Sequence, residues 1–261
     1  MNAAPASLLF AALLVAVGPA TAQDADGWDL TRTDSALMAD VSYASGQSFT
    51  VRCREGRLDV MMGGLPVESG NSSRWLEWSG GGVNAQRQTW LNIPEAPLIF
   101  AARPIHAARL LRQGGEVSVR IMQTAVQPAQ RYNLTLPSDP TALDQVLAAC
   151  TVRLDDPRDA AAEIDAPFEQ PGVFPNIWQQ LPLPQYPSRA AGAGIESGSV
   201  LYNCIIGERG ALRDCRIETE TPANADFGKS TLQALRSTHV RLGQGVEPGR
   251  LIVSLIRFRV E

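Results

Sequence analysis

The last quarter of the chain has the most regular alternation of apolar and polar positions. In residues 199–207 every even-numbered position is apolar, and these positions share one face of an extended chain. This period of two predicts a half-buried β-strand. After Gly210, which suits a hairpin turn because glycine takes positive φ without strain, the alternation resumes with Cys215 and Ile217. The pattern therefore predicts a second strand that pairs with the first.

A helix and a third strand follow this hairpin. Residues 224–226 offer side chains that cap helix N-termini, and Phe227 and Thr231 begin a series of positions at helical spacing. Residues 251–260 are almost continuously apolar and β-branched until the arginines near their end, which is typical of a strand. We therefore expect a small ββαβ domain over residues 188–261.

Residues 23–165 carry both periodicities, so we expect a separate, β-rich α+β domain there. A stretch with six prolines, residues 166–187, divides the two domains and predicts an extended linker. The whole chain is thus expected to have an α+β fold. The upstream elements expected from the pattern are strands at 48–53, 57–63, 74–78, 86–91, 116–122 and 131–136, and helices at 105–113 and 141–150.

The first 22 residues have the pattern of a signal peptide. An apolar run at 8–17 is followed by a small-x-small motif that ends at Ala22, which predicts cleavage before Gln23. Ten residues are too few to cross about 30 Å of hydrocarbon. Because residues 1–7 carry no Lys or Arg, an uncleaved inner-membrane anchor stays the alternative. We expect an exported protein.

Four cysteines fit an oxidising compartment, where an even number can pair completely. Cys53 shares a strand face with Phe49, and Cys150 ends a helical stripe, so both point into the upstream core. Cys204 and Cys215 lie across the predicted hairpin, where a bulged turn would suit a bridge better than a two-residue loop. We predict the pairs Cys53–Cys150 and Cys204–Cys215. The alternative is four buried free thiols.

Composition and motifs argue against several functions. The net charge of −4 and pI of about 5.3 disfavour nucleic acid or an anionic membrane surface as a partner. The motif at 228–230 resembles the end of a phosphate-binding loop, but Ala223 stands where the first glycine belongs. His106 and His239 lie near predicted helix ends, where we expect partly solvated rings. We expect no catalytic residue, cofactor or metal site, and hence no enzyme.

Tryptophans are a further candidate for binding, because their rings can stack on sugars. Trp75 and Trp78 are three residues apart on a predicted strand and therefore face opposite sides, so at most one of them can share a platform with Trp90. Core packing is the preferred interpretation, and glycan binding is the alternative.

The C-terminal segment resembles the TonB C-terminal domain family in its short periplasmic form, over roughly 75 residues. The matching residues are Tyr186-Pro187, Gly198, Cys204 and Cys215 around Gly210, Phe227-Gly228 and Ile256-Arg257-Phe258. The resemblance implies a periplasmic protein of a Gram-negative cell envelope with a role connected to transmembrane transport. We expect no motor coupling, since neither a long Pro-rich span nor an N-terminal membrane helix is visible.

The resemblance also implies a binding mode, in which an extended peptide adds as a strand to an exposed sheet edge. The partner would be an envelope protein or peptide, such as an outer-membrane receptor, and membrane contact would come only through the signal peptide or that partner. The alternatives are arginines that merely protect an edge from aggregation, and a structural or glycan-binding envelope protein with a docking or dimerising C-terminal unit. The expected partner-binding residues are Leu251, Val253, Leu255, Arg257 and Arg259.

Overall fold

The computed structural model describes residues 27–68, 72–80, 83–122, 128–164, 177–243 and 245–260. The fold is mixed and rich in sheet, which confirms the α+β class. The predicted signal peptide, with its cleavage site between Ala22 and Gln23, lies outside the described residues.

The strands and helices follow one another in chain order, with a 3₁₀ turn at Pro157–Ala160. The strands are β1 (Asp29–Arg32), β2 (Ala36–Ser42), β3 (Ser48–Arg54), β4 (Arg57–Gly63), β5 (Ser73–Gly80), β6 (Val83–Asn92), β7 (Leu98–Ala101), β8 (Gly115–Ile121), β9 (Gln130–Leu136), β10 (Trp178–Gln180), β11 (Ser197–Ile206), β12 (Leu212–Thr221), β13 (His239–Val240) and β14 (Leu251–Arg259). The helices are α1 (Pro104–Arg112), α2 (Thr141–Ala149), α3 (Ser188–Gly192) and α4 (Phe227–Leu235).

The first nine strands form one antiparallel sheet in the order β1-β2-β3-β4-β7-β6-β5-β8-β9. Strands such as β3 alternate between buried and half-buried residues, because one face of the sheet is covered by α1 and α2. The Cys53–Cys150 disulfide joins β3 to the end of α2, with 5.6 Å between the two Cα atoms. This bridge was predicted from the faces that its two cysteines share with core residues.

The C-terminal unit is a second, three-stranded sheet in the order β12-β11-β14, with α4 packed on one face. Strands β11 and β12 pair as an antiparallel hairpin, and β14 pairs with the other side of β11. Phe227 and Leu235 of α4 are buried against this sheet. The two-residue strand β13 lies between α4 and β14 in sequence and pairs with β10.

The hairpin carries the second predicted disulfide, Cys204–Cys215. The register of β11 against β12 shifts between Asn203 and Ile205, so that two β12 residues oppose Cys204, and the extra residue, Asp214, has a φ of 49°. This bulge brings the Cα atoms of the two cysteines within 4.1 Å. The two bridges indicate folding in an oxidising compartment, extracellular or periplasmic.

Part of the predicted linker lies on the C-terminal unit. Residues 165–176 are outside the described residues, but Trp178–Gln180 forms β10 and pairs with β13. The ring of Tyr186 packs edge-on against those of Phe227 and Phe258, with centroid distances of 5.5 and 6.3 Å. Residues from 177 onward therefore belong to the C-terminal unit. Within the described residues, none of the helices has the length and apolarity needed to cross a membrane.

The two disulfides should differ in how much they stabilise the protein. Cys53 and Cys150 are 97 residues apart, whereas Cys204 and Cys215 are 11 apart. In the loop-entropy model, replacing the first pair by alanine lowers the free energy of unfolding by about 4–5 kcal/mol, and replacing the second lowers it by about 3 kcal/mol. Urea unfolding of both double variants measures this difference. A larger loss from the hairpin pair would contradict the expectation.

Candidate functional site

β14 is an edge strand, and its odd-numbered residues direct their backbone groups away from β11. The Ile206 N–H donates to the Arg250 carbonyl, and the Val260 N–H donates to the Glu196 carbonyl, so even-numbered residues face β11. Because neighbouring residues of a strand alternate, the N–H and C=O groups of Val253 and Leu255 point to the open side of the sheet. Within the described residues these groups have no hydrogen-bond partner.

The edge is not open along its whole length. The Leu251 N–H donates to the Ala162 carbonyl over 2.9 Å, and the Ile164 N–H donates to the Leu251 carbonyl over 2.9 Å. Leu251, which the sequence places among the partner-binding residues, is therefore already paired inside the chain. The other four lie beyond this contact: Val253, Leu255, Arg257 and Arg259.

The even-numbered side chains of β14 fix the strand to the domain. Ile252 and Phe258 are buried in the core that α4 covers. The Phe258 ring lies 4.7 Å from the Phe227 ring, centroid to centroid. At Gly198, opposite Phe258 on β11, a Cβ atom would lie 2.4 Å from the Phe227 ring, so this aromatic contact needs a glycine there. The edge is thus presented by a firmly packed strand.

The odd-numbered side chains lie on the opposite face of the sheet, and this face has two parts. Val253 and Leu255, together with the buried Leu201 of β11, pack against Leu91 and Ala102 of the upstream domain. The face then changes character toward its end, where two exposed arginines follow in the same alternation, Arg257 and Arg259. A strand added at this edge would meet apolar surface first and positive charge next.

A buried network of charged residues joins the two domains beside this apolar contact. Its centre is Asp159, whose carboxylate accepts hydrogen bonds from Arg109 over 2.5 and 2.8 Å. His106 Nδ1 lies 3.0 Å from the same carboxylate, and Arg103 lies 3.6 Å from it. Burial works to raise the pKa of Asp159, but the His106 ring and the Arg109 guanidinium outweigh burial and hold that pKa well below its usual range.

His106 differs from its sequence-based expectation. It is only 3% exposed rather than partly solvated, because α1 turns it toward the domain junction and not toward water. Burial lowers the pKa of this ring, and the nearby Arg103 acts in the same direction against the carboxylates. The ring is therefore neutral at pH 7, and Asp159 is balanced by the arginines.

The network continues into the C-terminal sheet through Asn203. Arg158 donates to the Asn203 side-chain oxygen over 2.7 Å and to the Asp214 carbonyl over 2.8 Å. Asn203 in turn donates to Glu218 Oε1, while Glu218 Oε2 is buried and has no hydrogen-bond partner within the described residues. Burial raises the pKa of Glu218 to about 7, although Arg103, Arg158 and Arg109 oppose this shift.

Sequence reasoning missed this network entirely. Asp156, Arg158 and Asp159 occur in a short charged run that is indistinguishable from a solvated surface segment. Their partners lie about 50 residues away in α1 and about 45 to 60 residues away in β11 and β12. Among the residues that the structure describes, no group of three or more acidic, His or Cys side chains is arranged to hold a metal ion. Since each charged side chain has an opposite charge nearby, we interpret the network as a structural contact that holds the two domains together.

The segment that resembles the end of a phosphate-binding loop lies at the start of α4, where three backbone amides already donate to a carboxylate of this chain. The α4 N-terminus, where residues 228–230 lie, is occupied by the Glu220 carboxylate of β12. This carboxylate accepts from the backbone N–H groups of Ala225 at 3.0 Å, Phe227 at 3.1 Å and Gly228 at 3.1 Å. Glu220 therefore satisfies the amides that a phosphate would use, and it caps the helix in place of the expected residues at 224–226.

The tryptophans do not form a sugar-binding platform. Trp78 and Trp90 are 2% and 1% exposed in the upstream core, which agrees with the core interpretation. Trp75 lies on the opposite face of the sheet, half-buried, with the Arg87 guanidinium carbon 5.6 Å from its ring centroid. No two of these rings share an accessible face.

The raised pKa of Glu218 predicts a pH-dependent loss of stability. Its pKa is about 7 in the folded protein and about 4.5 ordinarily, so the native state holds the proton more tightly than the unfolded chain does. The stabilisation is complete below pH 4.5 and is lost as the pH rises through 7, by at most about 3 kcal/mol. The stability of Glu218→Gln relative to wild type should therefore increase as the pH rises from 5.5 to 8.5.

Denaturant unfolding of both proteins at the two pH values measures this gain. The comparison cancels the opposite contribution of His106, which both proteins retain. An equal stability difference at pH 5.5 and pH 8.5 would show that Glu218 is ionised in the folded protein throughout this range.

Comparison with protein-family models finds no match for this chain, and comparison with curated proteins finds none either. The choice of function therefore depends on the geometry and chemistry of the β14 edge and the domain junction.

Proposed function

We propose that this protein is a periplasmic peptide-binding protein of TonB C-terminal type, which takes up an extended segment of an envelope partner as a strand on β14. The observation that carries the proposal is the outward direction of the unpaired backbone groups of Val253 and Leu255. Backbone pairing supplies affinity in this binding mode, and alternate side chains supply specificity. The two disulfides support an oxidising compartment, and the periplasm is the one that the TonB resemblance implies.

The length of the site follows from the strand. Residues from Val253 to Arg259 offer about seven positions, or roughly 20 Å of extended chain. An added strand of this length would give the three-stranded sheet a fourth member. Its residues would alternate between the α4 side and the side that carries Arg257 and Arg259.

The charge of the edge favours an acidic partner over a second copy of the chain. If two β14 edges paired in a fully overlapping antiparallel register, Arg257 and Arg259 of both copies would lie on one face of the joined sheet. In that register each Arg257 would face Leu255 of the other copy and would lie diagonally from the other Arg257, within reach of its long side chain. Positive charge is also a common protection against edge association. An acidic strand would instead gain from the same two arginines.

Removing an outward N–H should weaken peptide binding. The probe is a synthetic nine-residue peptide of alternating Val and Thr in which two Glu residues, two positions apart, replace residues of one face near its end. Leu255→Pro and Val253→Pro each delete one donor and should weaken the peptide at least tenfold, since proline adds a steric clash to the lost hydrogen bond. Leu255→Thr keeps the N–H and is the matched control. Fluorescence anisotropy gives the affinities, after circular dichroism has shown a native fold.

Charge reversal tests the partner chemistry separately. Arg259→Glu should weaken binding of the acidic peptide by about three- to tenfold and strengthen binding of an otherwise identical peptide with Lys in place of both Glu residues. The same titrations at 0.5 M salt should reduce both effects, because exposed charges are screened. If the folded proline and Arg259 variants all bind as wild type does, the edge mechanism is wrong. Concentration-dependent dimerisation in wild type would instead favour the second copy.

A further inference from the structure

The open edge of β14 begins directly after Leu251, which is paired with residues 162–164. Ala162 and Ile164 bracket Leu251 in a parallel bridge, using both outward backbone groups of Leu251. This three-residue segment, Ala162 to Ile164, follows the 3₁₀ turn and belongs by sequence to the upstream region. At Leu251 this segment already makes the backbone hydrogen bonds that an added strand would make along the rest of the edge.

Glu163 holds this segment in place. Its side chain is 5% exposed, and Oε2 accepts from the Thr89 N–H over 2.9 Å and the Thr89 hydroxyl over 2.8 Å. The other carboxylate oxygen lies 3.7 Å from Arg103. The side chain of Arg250, next to β14, donates to the Glu163 carbonyl. Residues 162 and 164 thus pair with β14 while the residue between them is fixed to β6 and to the start of α1.

An added strand could pair with β14 in more than one register, and residues 162–164 limit the choice. A slip by one residue turns every side chain to the wrong face and is excluded by side-chain pattern, but a slip by two residues keeps the faces and changes only which positions meet. If the whole of β14 were open, the partner strand could therefore shift by two residues in either direction, and its acidic residues would no longer lie beside Arg257 and Arg259. A filled first position removes the slip toward Leu251.

We infer that residues 162–164 are a built-in register stop for the partner strand, and that Glu163 is the residue that positions it. The inference rests on the proposed function, because it concerns the same edge. A partner pairs from Val253 to Arg259 and goes no further toward Leu251, whose N–H and C=O are occupied. Glu163 does not touch the partner; it acts by keeping Ala162 and Ile164 against β14.

Amide hydrogen exchange by NMR on the full chain tests the stop in two steps. In the free wild-type protein the amides of Leu251 and Ile164 should be protected. Glu163→Ala removes the acceptor for Thr89 and should speed exchange at both amides at least tenfold. Glu163→Gln retains an acceptor oxygen and should recover most of the protection. Glu208→Ala, at an exposed glutamate in the β11–β12 turn, is the matched control and should change neither amide.

The second step adds the acidic peptide. In wild type it should protect Val253 and Leu255 and leave Leu251 and Ile164 as they were, whereas in Glu163→Ala it should extend protection to Leu251. Should Glu163→Ala fail to fold, Thr89→Val removes only the hydroxyl donor and should give the same changes with smaller size.

The outcomes separate the two ideas. If Leu251 stays protected in folded Glu163→Ala, or if the peptide displaces Ile164 in wild type, the stop is overturned while strand addition stands. If the peptide protects no β14 amide in any variant, strand addition fails, and the role of the segment as a register stop fails with it. In that case the free-protein exchange still decides whether Glu163 orders the edge.

Discussion

Asp159 and Glu163 lie four residues apart on the segment that leads from the upstream domain, and both carboxylates are held by residues of that domain. Taking such groups from water costs several kcal/mol each, and only close partners offset this cost. Arg109 supplies a two-point contact to Asp159, and the Thr89 backbone N–H and hydroxyl supply one to Glu163. Removing Arg109 from its ion pair with Asp159 would cost about 3–5 kcal/mol. The position of residues 156–164, and with it the limit of the β14 edge, depends on these contacts.

The same alternation that packs β14 also determines what its edge can do. Even-numbered side chains such as Phe258 go into the core, and odd-numbered backbone groups go to the open side. A sheet edge with free N–H groups tends to associate with itself, and the two exposed arginines counter this tendency. If the proposed function holds, the same two arginines would also attract an acidic strand. Protection from aggregation and partner binding would then be two effects of one charge arrangement.

Local pattern predicted much of the fold because much of it is local. The alternation around Cys204 and the helical spacing from Phe227 identify β11 and α4, and shared faces identify both disulfides. The short strands β1 and β7 carry too few residues to show a period, and β2 was also missed. The site was predictable only in part. Leu251 looks like its neighbours in sequence, and its pairing with Ala162 arises from a contact about 90 residues away along the chain.

Leu201 connects the contact between the two domains with the open edge of β14. It pairs with Leu255 on one side and with Thr219 on the other, and the register shift directly after it makes Glu218 the extra residue of β12. Leu201 also packs against Ala102, the residue before Arg103. This one strand position therefore belongs to the apolar contact, pairs with the edge strand β14, and lies one residue away from positions whose neighbours carry the buried charges. Because the apolar contact and the charged network lie at the same junction between the domains, a change that opens this junction would also alter the surface on which a partner strand would lie.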